Sequence, residues 1–165
     1  MMKFAPSENY QAAAEKIFSK LREKILARLP SATIDHIGST AIPNCLTKGD
    51  LDLVVSVTQQ QFPHALKTLD SMFSPNTGSD RNNEFAAFVL EGEELPVGIQ
   101  LVAIGLGADN FVLWRELLLE SPDILDRYNQ LKESHQGSQM EQYRVKKSEF
   151  IEEELRLAQS RKVCG

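Results

Sequence analysis

The sequence predicts an α+β fold in which a mixed β-sheet is flanked by helices and the C-terminal part of the chain is helical. Segments with the alternation of β-strands are grouped between residues 32 and 104, and segments with helical periodicity precede, interrupt and follow them. Strands and helices do not alternate regularly, as they would in a doubly wound parallel sheet. The length of 165 residues fits a single domain, residues 1–165.

The first predicted helix has apolar residues every three or four positions from residue 14 to residue 29 and ends before Pro30. A β-branched run at residues 32–37 follows, and it predicts a strand that enters a tight turn at Gly38-Ser39. Residues 50–57 alternate more clearly, with Leu51, Leu53, Val55 and Val57 on one face, which is fully apolar and must pack against helices. A helix is expected at residues 60–73, with Pro63 tolerated in its first turn.

Turn-forming residues at 74–83 predict a loop, and residues 84–90 and 97–104 predict two more strands. The rest of the chain is predicted to form three helices. The first two, residues 110–121 and 123–134, are divided by Pro122, and the third runs from Gly137-Ser138 to about residue 159.

Composition narrows the classes of function. With 18 Lys and Arg against 23 Asp and Glu, the net charge is −5, which disfavours an extended surface for nucleic acid. Two cysteines cannot form a disulfide framework, and the three histidines lack the spacing of a zinc site. Charges interrupt every apolar run before ~18 residues. We therefore expect a cytoplasmic protein without membrane partners, whose protein partners the sequence leaves unknown.

The strongest chemical signal is Gly38-Ser39 at the end of one strand, followed by Asp50-x-Asp52 on the next. Aspartates two positions apart on a strand share a face, and they repel each other unless a cation lies between them. Mg²⁺ often takes one or two carboxylates together with substrate phosphates. Gly38 allows close approach of the backbone to a phosphate, and Ser39 offers an N–H and a hydroxyl. Each motif alone is common in solvated strands and ordinary turns, but their combination indicates nucleotide triphosphate chemistry.

Residues 36–43, His-Ile-Gly-Ser-Thr-Ala-Ile-Pro, resemble the signature of GrpB-like proteins, and the Gly-Ser turn with D-x-D is similar to that of the nucleotidyltransferase superfamily. Lys48 matches the family's lysine before its acidic strand. The resemblance runs from about residue 5 to residue 158, and its weaker helical motifs are Trp114-Arg115-Glu116-Leu117-Leu118 with Pro122, then Tyr128, Leu131 and Lys132, then Tyr143, Lys147, Phe150 and Ile151.

The resemblance implies a nucleotidyltransferase-like fold of the DNA-polymerase-β type and a site that binds a nucleotide with Mg²⁺. In that site Asp50 and Asp52 would hold the metal and carry the catalysis. The residues expected to hold the nucleotide or another small ligand are Gly38, Ser39, Thr40, Lys48 and Gln100.

The sequence also departs from the pattern. Related proteins tend to carry His-x-His on the strand that supplies the superfamily's third carboxylate, whereas residues 98–100 here are Gly-Ile-Gln and no acid lies at 97–104. The role of third ligand or general base is therefore unassigned. A metal-dependent nucleotidyltransferase, a catalytically inactive binding module of the same fold, and a helical interaction protein all remain open.

Other polar residues have structural as well as functional interpretations. His36 is expected to be hydrogen-bonded in the core, and Arg115 with Glu116 is expected to form a structural ion pair. Lys48 has two equal options, since it can pair with the carboxylates or with phosphate. A further group could form a basic wall facing the acidic residues, although such charges usually lie on a solvated face: Lys132, Tyr143, Arg144, Lys146 and Lys147.

Overall fold

The computed structural model describes residues 1–105 and 110–164, and five α-helices lie in this part of the chain. Two short 3₁₀ turns accompany them, at Ser7–Asn9 and Ser39–Ala41. The helices are α1 (Gln11–Arg28), α2 (Phe62–Asp70), α3 (Asn110–Glu120), α4 (Pro122–Ser134) and α5 (Met140–Val163). None of these described helices combines the length and apolar character needed to cross a membrane.

The described residues also form seven strands, arranged in two sheets. The strands are β1 (Ala5–Pro6), β2 (Thr33–Ile37), β3 (Leu46–Thr47), β4 (Leu51–Val57), β5 (Ser74–Pro75), β6 (Phe85–Leu90) and β7 (Val97–Ala103). The large sheet has the order β2-β4-β7-β6-β5, and β1 pairs with β3 in a small antiparallel sheet. In the large sheet β4 and β7 are parallel and all other neighbours are antiparallel. The predicted α+β fold with a mixed sheet is confirmed.

The main core lies on one face of the large sheet. The inward residues of β4, Leu51, Leu53, Val55 and Val57, are buried as the sequence predicted, and Val54 is buried on the opposite face. Helices α1 and α2 cover this face, with Ile17, Leu21 and Ile25 of α1 almost completely buried. Each such side chain contributes about 1.5–3 kcal/mol by leaving water, so this face anchors the strands that carry the predicted acids.

The C-terminal helices form a second core on the other side. It combines residues of α3, α4 and α5 with residues of the segment between β2 and β3: Ile42, Cys45, Trp114, Leu118, Ile124, Leu125, Tyr128 and Leu155. Phe111 and Val112 of α3 also pack on the second face of the sheet. The helical C-terminal part therefore closes over the predicted Gly-Ser turn.

The boundaries differ from the prediction in short segments. The hydroxyl of Ser7 donates to the carbonyl of Ile42 (2.7 Å), and its N–H donates to that of Cys45 (2.9 Å). Because these bonds hold the N-terminal segment against residues 42–45, a 3₁₀ turn precedes the helix. Part of the predicted loop, Ser74–Pro75, pairs with β6 instead. The two-residue strands are too short to show alternation in the sequence.

Candidate functional site

A cavity of about 320 Å³ opens between strands β2, β4 and β7 and helices α3, α4 and α5. Six of the seven residues named from the sequence line it together: Gly38, Ser39, Lys48, Asp50, Asp52 and Gln100. The lining is acidic at one strand end, basic on the helical side, and aromatic around Trp114 and Tyr128.

Asp52 lies opposite Ile37 of β2 and Gly98 of β7 in the register of the sheet. Two glycines make room for its carboxylate. A Cβ atom on Gly38 would lie 2.8 Å from Oδ2, and one on Gly98 would lie 2.6 Å from Oδ1. Both distances are far inside van der Waals contact, so any larger residue at either position would displace the carboxylate. The absence of side chains at Gly38 and Gly98 thus leaves space for the Asp52 carboxylate on both sides of β4.

The pKa of Asp52 is raised above its ordinary value, mainly because burial disfavours the charged carboxylate. The negative charge of Asp50 raises it further, while Lys147 and Lys48 act in the opposite direction. A cation bound between the two aspartates would lower the electrostatic cost of keeping a half-buried carboxylate charged beside a second one.

Asp50 stands just before β4, and its carboxyl side chain is 39% exposed. The Nζ atom of Lys48 lies 3.5 Å from Oδ2 of Asp50, so in this structure Lys48 pairs with a carboxylate. The same Nζ lies 3.6 Å from the Sδ atom of Met140 on α5. Of the two options for Lys48, the structure shows the first; a phosphate would compete with Asp50 for the same ammonium group.

The Gly38-Ser39 turn follows β2 directly. Gly38 has a φ of 76°, in the left-handed region that residues with a Cβ rarely adopt. From there the backbone enters the 3₁₀ turn Ser39–Ala41, in which the N–H of Ala41 donates to the carbonyl of Gly38 (3.1 Å). The turn carries Ser39 into the cavity beside Asp52.

Thr40 is the predicted ligand-binding residue that the structure does not bring into the cavity. It is buried, and its hydroxyl donates to the backbone carbonyl of Asp50 (3.0 Å). The same oxygen is 2.9 Å from Nε2 of His36, which must be the donor because the hydroxyl hydrogen is already used. Thr40 therefore holds the backbone at Asp50 rather than facing a ligand, since the 3₁₀ turn directs it away from Ser39.

His36 is half-buried, stacks on the ring of Phe18 at 5.5 Å, and lines a smaller depression outside the cavity. Burial and the nearby Arg115 lower its pKa to about 4, so the imidazole is neutral at neutral pH. The hydrogen bond to Thr40 agrees with the expectation, whereas the ring lies at the edge of the core rather than inside it. Arg115 binds Asp35 (3.1 Å), Glu116 (2.9 Å) and the carbonyl of His36 (3.1 Å), which confirms its structural role.

Gln100 lies on β7, the strand on which the resemblance implied a third acid. It pairs with Val54 of β4 and lies two residues after Gly98 on the same face of the sheet, where it lines the cavity. Its Oε1 atom is buried and accepts no hydrogen bond within the described residues. A buried acceptor without a donor costs about 1–3 kcal/mol, so a donor that entered the cavity could recover this cost.

Lys132 does not lie on a solvated face, because only 1% of the residue's surface is exposed. Nζ donates to Oγ of Ser39 (2.5 Å) and to the carbonyl of Leu46 (2.5 Å), and it lies 3.4 Å from Sγ of Cys45. The ammonium group also lies over the ring of Tyr128, 4.1 Å from its centroid. A signal existed in the sequence: positions 125, 128 and 132 follow helical spacing on the apolar face of α4.

Of the other residues of the proposed basic wall, Tyr143 and Lys147 line the cavity, whereas Arg144 and Lys146 are exposed and do not. Burial raises the pKa of the hydroxyls of Tyr128 and Tyr143, so both stay protonated. Lys147 is half-buried and forms no ion pair with a described residue. Its charge is therefore available to a ligand in the cavity.

Asp50 and Asp52 are the two acids of the cavity that could hold a metal ion, and the described residues do not enclose one. The described part of the chain holds no group of three or more Asp, Glu, His or Cys side chains able to surround an ion. Asp50 and Asp52 supply two carboxylates, which are hard oxygen ligands, beside the cavity. Because the pKa of Asp52 is raised there, a cation would reduce the free-energy cost of its charged form. Two carboxylates completed by phosphate oxygens and water are typical of Mg²⁺.

Comparison with known proteins gives a consistent result. The family model described as GrpB protein matches residues 5–156. A UPF0157 protein of Vibrio cholerae serotype O1 is 39% identical over 155 residues, which are 93% of this chain and 82% of the relative. The crystal structure of the conserved protein GrpB from Enterococcus faecalis superposes with a TM-score of 0.67 at 18% identity, over 90% of this chain and 96% of the other.

A second group of solved structures shares the fold. The poly(U) polymerase Cid1 bound to MgGTP matches with a TM-score of 0.54 at 16% identity, over 74% of this chain and 41% of the polymerase. The variant of Cid1 bound to MgATP gives a TM-score of 0.53 at the same identity. The fold is thus nucleotidyltransferase-like, as the sequence resemblance implied.

Proposed function

This chain belongs to the GrpB family, and we propose that it binds a nucleoside triphosphate together with Mg²⁺ in the cavity between the sheet and helices α3 to α5. The observation that carries the proposal is the shared lining of that cavity. Asp50 and Asp52 lie with the Gly38-Ser39 turn at one end, and Lys132 and Lys147 stand on the helical side.

The charges of the cavity suit a polyphosphate. Three lysines, Lys48, Lys132 and Lys147, line it with the two aspartates, whereas the whole chain carries a net charge of −5. The lining therefore carries one more positive than negative charge, and Lys147, which forms no ion pair with a described residue, favours an anionic ligand. The aromatic lining around Trp114 gives the same ligand an apolar surface for its base or sugar.

In this proposal each residue has one task. Asp50 and Asp52 hold the metal, Ser39 donates to a phosphate oxygen, and Lys147 neutralises phosphate charge. When bound, Mg²⁺ would supply charge neutralisation and orientation of the phosphates. Gln100 offers a neutral acceptor beside Asp52. With a hydroxyl acceptor aligned against the α-phosphate, this geometry supports nucleotidyl transfer, because such reactions depend mainly on positioning and electrostatics.

One observation favours a second candidate, a module that binds the nucleotide without turning it over. Strand β7, Val97–Ala103, contains no acid, so no carboxylate on it can serve as the third metal ligand or accept the proton of an attacking hydroxyl. The two candidates differ in a simple product. A transferase releases pyrophosphate from the bound triphosphate in the presence of an acceptor, and a binding module does not.

The proposal is tested by melting temperature and calorimetry with ATP, GTP, CTP and UTP, with and without Mg²⁺. A ligand at 100 times its Kd adds about 2.7 kcal/mol to the stability of the native state, which for this chain length is a rise of about 5–10 °C. We expect such a rise only with metal and nucleotide together.

Asp52→Asn is expected to abolish the metal-dependent part of the rise, because the amide is a poor ligand for Mg²⁺. The matched control is Asp126→Asn, which neutralises an exposed aspartate on α4 and should respond to ligand as the wild type does. If Asp52→Asn gains the same stabilisation as the wild type, the assignment of the metal site is wrong.

A further inference from the structure

We infer that Lys132 is a positioning residue, which fixes the Ser39 hydroxyl so that it donates to a phosphate oxygen of the ligand. This inference rests on the proposed function and adds the contact that orients Ser39 in the phosphate-binding turn. Lys132 and Ser39 are 93 positions apart in the chain, and their contact joins helix α4 to the turn after β2.

The contacts of Nζ leave it no freedom to bind the ligand directly. An ammonium group has three hydrogens, and Nζ has three acceptors around it: Oγ of Ser39, the carbonyl of Leu46 and Sγ of Cys45. The side chain is also buried and held over the ring of Tyr128. Lys132 therefore acts on a ligand through the groups that it holds.

Ser39 is the one of these groups that can pass the effect on. Its hydroxyl oxygen accepts from Lys132, so its single hydrogen must point away from the ammonium group. Ser39 lines the cavity, and a hydroxyl that accepts from a cation is a stronger donor to an anion.

Burial lowers the pKa of Lys132 to about 8, with smaller lowering effects from Lys147 and Lys48 and opposing effects from Cys45. The phenolic groups of Tyr128 and Tyr143 and the carboxylates of Asp50 and Asp52 line the same cavity. When pH rises through about 8, the neutral amine keeps two hydrogens for three acceptors. The hold on Ser39 then weakens, and affinity for the triphosphate should fall.

The experiment measures the Kd of MgATP by calorimetry for the wild type, Ser39→Ala, Lys132→Met and the double variant, each checked for folding by its melting curve. Losing a hydrogen bond to a charged group weakens binding about 10-fold or more. We expect each single variant to lose about that factor and the double variant to lose no more than either single one. Lys146→Met, an exposed lysine of α5, is the control and should leave the Kd unchanged.

The pH profile adds a readout that a merely structural role would not move. Between pH 7 and 9.5 the wild type should lose affinity through about pH 8, and Ser39→Ala should lose much less over the same range. All other titrating groups of the cavity are shared by these two proteins, so their difference isolates the path through Ser39. This arm decides the question even if Lys132→Met does not fold.

The outcomes separate the inference from the function. Non-additive losses and a flattened profile in Ser39→Ala support the positioning role. If the wild type binds MgATP but the losses multiply in the double variant, or both profiles are identical, the inference is overturned and the proposed function stands. If the wild type binds no triphosphate, both are overturned.

Discussion

Asp52, a proposed metal ligand, illustrates how a buried acid lowers the stability of the fold that carries it. Its carboxylate is set between Gly38 and Gly98, next to Asp50, where burial raises its pKa. An acid whose pKa is higher in the folded state than in the unfolded chain favours folding at low pH. That contribution is lost as pH rises through the folded pKa. At neutral pH without metal, Asp52 therefore destabilises the protein.

We predict that Asp52→Asn melts at a higher temperature than the wild type at neutral pH when metal and nucleotide are absent. The difference between the two proteins should shrink as pH falls through the raised pKa of Asp52. His36 acts in the opposite direction, because its pKa is lowered to about 4 and its protonation destabilises the fold below about pH 6.5. His36 is present in both proteins, so the difference between their thermal melts isolates Asp52. A lower melting temperature for Asp52→Asn at neutral pH would show that the charged carboxylate of Asp52 does not destabilise the fold.

At the scale of elements, the second core determines where the helical side of the cavity stands. Trp114 and Leu118 of α3 pack against Tyr128 of α4, and the rings of Trp114 and Phe150 of α5 meet edge to face at 6.0 Å. Leu118 is buried and also reaches the cavity lining. The lysines of α4 and α5 therefore depend on this core for their positions.

We predict that Leu118→Ala lowers the free energy of unfolding by about 2–5 kcal/mol, the cost of a cavity in a packed core. Leu119→Ala is the matched control on the same helix, because Leu119 is 48% exposed and such surface changes stay within about 0.5 kcal/mol. Denaturant unfolding followed by fluorescence of the single tryptophan, Trp114, gives both values. Equal effects of the two changes would mean that α3 does not pack as the structure shows.

At the scale of the whole molecule, long periodic segments made most of the fold predictable. The alternation of β4 and the apolar spacing of α1 located the main core, and a pair of acids with a Gly-Ser turn indicated which strand ends converge. Two-residue strands such as β1 and β3 could not be found, because their pairing depends on tertiary contacts rather than on local pattern.

Two side chains of the site show what local pattern leaves open. Thr40 adjoins Ser39 in the sequence, yet the 3₁₀ turn sends it to the opposite side, and no composition signal reports that rotation. Lys132 belongs to a group of residues that the sequence leaves between a basic wall and a solvated face, because charge runs on terminal helices usually face solvent. Its helical spacing with Leu125 and Tyr128 indicated the buried face of α4, but its partners Ser39 and Leu46 are distant in sequence, so local pattern could not identify them.

The most direct measurement is a crystal structure of the protein with Mn²⁺ and a non-hydrolysable ATP analogue, with the metal located by its anomalous signal. We predict one manganese peak bridging the carboxylates of Asp50 and Asp52, with a phosphate of the analogue next to Ser39 and the base toward the aromatic lining of the cavity. The account would be contradicted if, at saturating concentrations of metal and analogue, the manganese peak lay elsewhere or the analogue bound away from the Gly38-Ser39 turn.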